Sequence, residues 1–190
     1  MNGPALRRAF YRRNTIDVAR DLLGKVLVHG DTAGIVVETE AYLGGDDLAS
    51  HSAAGITDRT RVIFGPPGHA YVYLSYGVHE CLNIVAEPEG APGCVLIRAL
   101  EPLAGIEQMR SRRPGARTDR DLTSGPGKLT RALAITRAHN GADVTRGDLT
   151  IHAPEHRHPF EIDVTPRIGI TKCADWPLRF VISGNPYLSR

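Results

Sequence analysis

The sequence predicts an α+β fold in which a curved, mainly antiparallel β-sheet, partly open and barrel-like, carries flanking helices and one protruding β-hairpin. Two observations lead to this prediction. Short runs of apolar residues recur along the chain between turn residues, which is typical of antiparallel strands. Only a few segments have the 3.6-residue apolar period of a helix. The length of 190 residues fits one domain, and we expect residues 1–190 to form it.

The first predicted helix follows Asn14, a residue type that commonly caps helices, and ends at Gly24. Its apolar residues recur at helical spacing, which predicts one buried face. Turn residues separate the next two apolar runs and predict an antiparallel pair of strands. These strands are expected at residues 25–29 and 35–39.

Regular periodicity disappears between residues 42 and 68, where glycines are frequent. A loop this long within a compact domain is usually functional or disordered. The next segment predicts a β-hairpin with strands at 71–74 and 81–85 and a tip at 76–79. A strand at 94–99 follows, and Pro102 is expected to open a helix. A further helix is expected after the glycine-rich segment 124–129, and short strands near 149–152, 168–170 and 179–183.

Composition limits the class of protein only loosely. The net charge of +2 neither requires nor excludes a nucleic acid partner. Arginines cluster near the start of the chain and between Arg110 and Arg120, where a solvated face and a flexible loop explain them as well as phosphate contacts do. The chain has no run of 18 apolar residues and no secretory signal. We therefore expect no membrane partner and a cytoplasmic location, associated with the nucleoid if the source is prokaryotic.

No metal site and no cofactor are expected from the sequence. The three cysteines lack the spacing of zinc ligands. His152, His156 and His158 lie close together, but the prolines around them favour an exposed turn. The segment 124–129 does not match a nucleotide-binding P-loop, because Leu129 stands where a hydroxyl residue is needed. Gly127 and Lys128 remain candidate contacts for a backbone phosphate at the start of a helix.

Two carboxylates and one tyrosine are the candidates for chemistry. Glu38 and Glu40 lie two residues apart and share one face of a strand, and Tyr42 follows where this strand enters the long loop. The pair could belong to a solvated face or to a sugar glycosidase. Tyr76 beside Gly77 at the hairpin tip is a candidate wedge for a base stack. A packed aromatic side chain under the loop is the alternative interpretation of Tyr76.

Taken together, these segments resemble the alkyladenine (3-methyladenine) DNA glycosylase family. The resemblance starts with residues 35–44 and continues with His51 and Ser52. It then follows the family order through 67–73, 76–77, 81–83, 95–103, 124–129 and 177–180. In all it extends from residue 10 to residue 186. The segment between Arg110 and Arg120 departs from the family pattern, and neither this segment nor His79 receives a role.

The resemblance implies a role for each matched residue. Glu40 would be the general base, and Arg98 would help to hold the water that Glu40 activates. Tyr76 would enter the minor groove. The remaining residues would form the base pocket: Tyr42 on one face of the flipped base, His51 and Tyr73 on the other, Asn83 opposite the 2-amino group of guanine, and Ala49 and Ile168 in the walls. His51 would also hydrogen-bond near the phosphate of the flipped nucleotide.

The same resemblance implies a monomeric, monofunctional DNA glycosylase that acts on double-stranded DNA with damaged purines. It would release 3-methyladenine and 7-methylguanine, with hypoxanthine and ethenoadenine as further candidates, and leave an abasic site. Two alternatives stay open at the level of sequence. One is a damage-binding module without catalysis, and the other is a sugar or nucleoside glycosidase that uses Glu38 and Glu40.

Overall fold

The computed structural model describes residues 3–156 and 159–189, and its eight strands form one antiparallel sheet. The strands are β1 (Val26–His29), β2 (Thr32–Tyr42), β3 (Ala70–Ser75), β4 (His79–Val85), β5 (Cys94–Ala104), β6 (Leu149–His152), β7 (Ile162–Thr165) and β8 (Arg179–Ile182). The α-helices are α1 (Arg8–Tyr11), α2 (Thr15–Leu22), α3 (Ile106–Arg112), α4 (Asp119–Thr123) and α5 (Pro126–Ala132). Short 3₁₀ helices span His51–Ala54, Arg61–Phe64 and Arg137–His139.

Strand β2 is the centre of the sheet, whose main path runs β3-β4-β5-β2-β1-β6. One edge of β2 pairs with β5 along almost its whole length. The other edge pairs with β1 in its first half and with β8 in its second half, and β7 extends the sheet beyond β8. The predicted α+β fold with a curved antiparallel sheet is confirmed, and the sheet forms a half-barrel.

Three register shifts interrupt the pairing of β2 with β5, and two of them are bulges beside Glu38. Between β2 and β5 the register skips Val37 on one strand and Arg98 on the other. A bulge adds a residue to one strand, increases its twist and redirects the neighbouring side chains. Here the bulges bring Arg98 within ion-pair distance of both Glu38 and Glu40.

Helix α2 covers the sheet from one side, as its pattern predicts. The Asn14 side chain accepts a hydrogen bond from the backbone N–H of Ile16 and so caps the helix. The apolar stripe with Val18, Ala19 and Leu22 is completely buried in the main core. The predicted helix and its buried face are both confirmed.

The hairpin of β3 and β4 protrudes with an exposed tyrosine at its tip. Tyr76 and Gly77 both have positive φ angles, 50° and 73°, as tight hairpin turns require. Positive φ suits glycine but strains a tyrosine, so an aromatic residue here has a cost in stability. The Tyr76 side chain is 89% exposed. The alternative of a packed aromatic residue is therefore wrong.

Several predicted boundaries are corrected. Pro102 does not open a helix, because it pairs with Gly34 inside β5, and α3 begins only after Gly105. Residues 168–170 are not a strand. The strand in this region is β7, which pairs with β8 and ends before Pro166, a residue that cannot donate to a ladder. Helix α4 begins with a capping box, and the sequence did not predict this helix.

No helix in the described part of the chain is long and apolar enough to span a bilayer.

Candidate active site

A cavity of about 470 Å³ opens between the β3–β4 hairpin, the loop after β2 and the segment after β7. The predicted base-pocket residues all line it: Tyr42, Ala49, His51, Tyr73, Asn83 and Ile168. Arg98 lies in its wall, and the exposed Tyr76 stands at its rim. The fold thus gathers into one cavity residues as far apart in the sequence as Tyr42 and Ile168.

Glu40 lies directly behind the cavity wall and is completely buried. Its Oε2 accepts a hydrogen bond from the Tyr42 hydroxyl at 2.9 Å and forms an ion pair with Arg98 Nη1 at 3.2 Å. Its Oε1 accepts one from the backbone N–H of Ile168 at 2.7 Å. All three donor residues line the cavity. Because each carboxylate oxygen has two lone pairs, Oε1 keeps one acceptor position for a further donor such as water.

Glu38 is held by structural contacts alone. Arg98, Arg179 and both the backbone N–H and the hydroxyl of Ser189 donate to its carboxylate at 2.6–3.0 Å. Burial opposes the ionisation of Glu38, but the hydrogen bonds from Ser189 and Arg179 outweigh it and lower the pKa of this carboxyl. Glu38 is therefore ionised at neutral pH and has no proton to donate as a general acid.

Arg98 is positioned to hold both carboxylates at once. Its side chain is 8% exposed, and its Nε and Nη1 contact Glu38 and Glu40 respectively. Desolvation disfavours its charge, but the two neighbouring carboxylates outweigh this effect and raise the pKa of Arg98. Its guanidinium is thus a fixed positive charge between the carboxylates.

A buried ion pair supports the back of Tyr42. The Arg167 guanidinium lies 4.7 Å from the centre of the Tyr42 ring and donates to both oxygens of Asp47 at 2.7 and 2.8 Å. It also donates to the carbonyl of Ala41 at 3.0 Å. The side chains of Arg167 and Asp47 are fully buried. This pair joins the loop after β2 to the segment that contains Ile168. It therefore fixes the positions of Tyr42 and Ile168, which both donate to Glu40.

His51 and Tyr73 form the opposite side of the cavity. Their rings meet edge to face with centroids 4.5 Å apart. Tyr71, two residues before Tyr73 on the same face of β3, stacks on Tyr73 at 5.5 Å and hydrogen-bonds His51 Nδ1 at 2.9 Å. Burial, and then the nearby Arg59 cation, lower the pKa of His51 to about 4. His51 is therefore neutral at physiological pH.

Asn83 lies in the cavity wall with its side chain fixed. Its Nδ2 donates to the carbonyl of Tyr71 at 3.2 Å, and its Oδ1 accepts only a weak bond from the Cys94 thiol at 3.9 Å. The Oδ1 atom therefore keeps acceptor capacity beside the cavity.

The candidate phosphate contacts lie at the start of α5 beside the cavity, but do not line it. A Cβ on Gly127 would come within 2.9 Å of the His79 side chain, so this glycine allows α5 to pack against the hairpin. That packing gives His79 a structural role. Lys128 Nζ donates to the hydroxyl of Ser124 at 3.3 Å. Whether Gly127 and Lys128 contact phosphate stays a prediction.

The segment between Arg110 and Arg120 is not a flexible loop, because several of its arginines make hydrogen bonds within the protein. Arg112, Arg113 and Arg120 each donate to a backbone carbonyl, and Arg110 pairs with Asp119.

Among the histidines of the predicted exposed turn, His152 bonds the Gly3 carbonyl and the Thr150 hydroxyl. His158 lies outside the described residues. Within residues 3–156 and 159–189, no cluster of three or more candidate side chains could hold a metal.

The sequence did not predict four residues of the site, which are Tyr71, Arg59, Asp47 and Arg167. Tyr71 could have been found, because alternation along β3 places it on the face of Tyr73. Arg59 is one of many arginines and has no local signal. Asp47 and Arg167 lie 120 positions apart, and nothing in either neighbourhood predicts their pairing.

Comparisons with known proteins identify the class of this protein. A model of the methylpurine-DNA glycosylase family matches residues 9–186. The chain is thus a DNA glycosylase, a hydrolase of N-glycosyl bonds. The chain belongs to the methylpurine-DNA glycosylase family.

Relatives from distant organisms align over nearly the whole chain. A protein of Methanoculleus marisnigri is 52% identical and covers 97% of this chain and 98% of its own. One of Koribacter versatilis is 50% identical over 97% and 92%, and one of Legionella pneumophila 46% identical over 97% and 98%. All three are described provisionally as 3-methyladenine DNA glycosylases.

We predict that Asp47→Asn destabilises the protein by about 3–5 kcal/mol, because it leaves the Arg167 charge buried without its partner. Urea unfolding measures this change. Asp58→Asn is the matched control, since the Asp58–Arg61 pair is exposed, and it should cost less than about 1 kcal/mol. Equal losses for the two variants would contradict the structural importance of the buried pair.

We also predict that the His51 imidazole titrates near pH 4 in an NMR titration. Between this value and the ordinary 6.5, the unfolded chain binds a proton that the folded protein does not. The free energy of unfolding should therefore rise with pH through this window, and His51→Gln should remove that part of the rise. Arg59→Gln should move the titration to higher pH, while Arg61→Gln should leave it unchanged. A midpoint near 6.5 in the unaltered protein would refute the assignment.

Proposed function

We propose that this protein is a monofunctional glycosylase of alkylated purines, which it flips from duplex DNA and releases by hydrolysis of the N-glycosidic bond. The observation that carries the proposal is the position of Glu40. Its carboxylate lies behind an aromatic cavity, and its Oε1 has a free acceptor position. A water bound there would be activated by Glu40 for attack on C1′.

The side chains around Glu40 support this chemistry. Arg98 and the Ile168 N–H would keep the carboxylate in place, and Arg98 would help to hold the water. The negative charge of Glu40 would stabilise a transition state of oxocarbenium character. A purine alkylated at N3 or N7 is already cationic and leaves readily, so its release needs no general acid.

The cavity suits a flat, electron-poor base. Tyr42 would stack on one face and His51 with Tyr73 on the other, and an aromatic face attracts a cation by ~0.5–2 kcal/mol. A neutral His51 adds no positive charge beside the base, which favours the binding of cationic 3-methyladenine and 7-methylguanine. Ala49 and Ile168 would form the walls. Asn83 would oppose the 2-amino group of guanine. Hypoxanthine and ethenoadenine are further candidate substrates.

The hairpin tip would keep the DNA open. Flipping costs a few kcal/mol, and less for a weakly paired lesion. Tyr76, exposed and held in a strained conformation, would fill the space that the flipped base leaves. Gly127 and Lys128 would contact the backbone at the start of α5. We further propose that the protein acts as a monomer in the cytoplasm.

The reaction would end at the abasic site. A lyase needs an amine that forms a Schiff base with the sugar. The three lysines, Lys25, Lys128 and Lys172, are all among the described residues, and none of them lines the cavity. The alternative of a sugar glycosidase with Glu38 as the acid is disfavoured, because four donors and a lowered pKa keep Glu38 ionised.

Glu40→Gln should keep the shape of the site and the binding of lesion DNA but lower excision by ~10²-fold or more. A single-turnover assay of base release from a duplex with one 7-methylguanine measures the rate, and band-shift titration measures binding. Glu38→Gln is the comparison variant and should lower stability more than the excision rate of the folded protein. Near-normal excision by Glu40→Gln, with an inactive Glu38→Gln, would assign the catalytic role to Glu38.

Tyr76→Ala should lower excision from duplex DNA much more than excision from single strands, because a single strand has no partner base to replace. Tyr42→Ala should impair both substrates, since it removes the platform of the cavity. The measurement compares single-turnover rates of both variants on duplex and single-stranded lesions. Equal losses of Tyr76→Ala on the two substrates would remove the wedge role from Tyr76.

A further inference from the structure

We infer that Ser189 is a positioning residue of the proposed reaction, which directs the Arg98 guanidinium toward Glu40. This inference rests on the proposed function and adds a residue to the same site. Ser189 lies in the segment after β8, beyond the residues 9–186 that the family model matches. It does not line the cavity, so any effect on the reaction must pass through the residues it contacts.

The three guanidinium nitrogens of Arg98 each have a different partner. Nε donates to Glu38 Oε1 at 3.0 Å, and Nη1 lies 3.2 Å from Glu40 Oε2. Nη2 donates to the hydroxyl of Ser189 at 3.3 Å. Because a guanidinium is rigid and planar, the contacts of Nε and Nη2 together set the direction of Nη1. Ser189 therefore helps to decide whether Arg98 reaches Glu40.

The contact with Ser189 replaces the usual geometry of an arginine–carboxylate pair. Such pairs are frequently bidentate, with two parallel N–H groups on the two carboxylate oxygens. Here Nε of Arg98 reaches only Oε1 of Glu38, and the backbone N–H of Ser189 donates to Oε2 at 2.6 Å. Ser189 thus satisfies the second group of each partner. Arg98 is prevented from turning fully onto Glu38, and its Nη1 stays available to Glu40.

One hydroxyl makes both contacts of the Ser189 side chain. It donates to Glu38 Oε1 at 2.8 Å and accepts from Arg98 Nη2. A hydroxyl can do both at once, because it has one donor and two acceptor positions. An alanine at this position would lose both contacts, whereas a threonine would keep both.

The segment around Ser189 is held by contacts outside the site. Arg120 Nη2, from α4, donates to the carbonyl of Leu188 at 3.1 Å. The Asn185 side chain donates to Glu101 Oε2, on β5, at 3.1 Å. Ser189 is therefore placed by the fold and can in turn orient a side chain of the site. Arg120, which has no role from the sequence, supports the site through this segment.

Ser189→Ala should lower the single-turnover rate of 7-methylguanine release from a duplex about tenfold, the order of magnitude for one hydrogen bond to a charged group. Its affinity for the lesion duplex in a band-shift titration should change by less than about twofold, since no contact to DNA is lost. Ser189→Thr should restore the rate. Ser183→Ala is the matched control, because Ser183 is exposed in the same segment, and it should leave rate and affinity unchanged.

A double-mutant cycle shows whether Ser189 acts through Arg98. Arg98→Lys removes the planar guanidinium, so Ser189→Ala should lower the rate no further in that background. Urea unfolding of each variant identifies a temperature at which all of them are folded, and the rates are compared there.

Two results would overturn the inference. One is a rate for Ser189→Ala within about twofold of the unaltered protein. The other is a tenfold loss that persists in the Arg98→Lys background, since Ser189 would then act without Arg98. Failure of the unaltered protein to release any alkylated base would instead refute the proposed function.

Discussion

The burial of two carboxyl groups inside the sheet is the constraint on which the rest of the structure depends. Glu38 and Glu40 have no exposed surface, and a buried charge is tolerated only where donors satisfy it. The bulges between β2 and β5 bring Arg98 to both, the end of β7 frees the Ile168 N–H for Glu40, and the C-terminal segment returns Ser189 to Glu38. Distant parts of the chain are thus held together by the demand for hydrogen bonds around these carboxylates.

The same network gives the two carboxylates different surroundings: Glu38 is bound by structural donors, and Glu40 lies beside the cavity. Glu38 and Glu40 lie two residues apart on one strand, yet all three partners of Glu40 line the cavity, whereas Arg98 alone of the residues that donate to Glu38 does so. The electrostatics of this cavity follow a similar division. Arg98 and Arg167 are each neutralised by carboxylates, His51 is kept neutral by burial and by Arg59, and Arg59 alone of these groups presents an uncompensated charge at the mouth.

Local patterns predicted the elements whose residues interact with sequence neighbours. The cap of α2 at Asn14 and the hairpin around Gly77 depend on a few adjacent residues, and both are confirmed. The errors lie where tertiary pairing overrides the local signal. Pro102 resembles the start of a helix, but pairing with Gly34 keeps it in β5. Residues 168–170 resemble a strand, but Ile168 donates its N–H to a carboxylate instead of a ladder.

The sequence by itself determined the family, the order of the strands along the chain and the residue types of the site, because ordered motifs and apolar periodicity are properties of neighbouring residues. Only the tertiary structure decided how these residues divide their tasks. It shows that Glu38 is bound by four donors, that the Asp47–Arg167 pair supports Tyr42, and that the Tyr71 hydroxyl hydrogen-bonds the His51 imidazole. Burial and pairing between residues far apart in the chain set these charges, and no local pattern records such contacts.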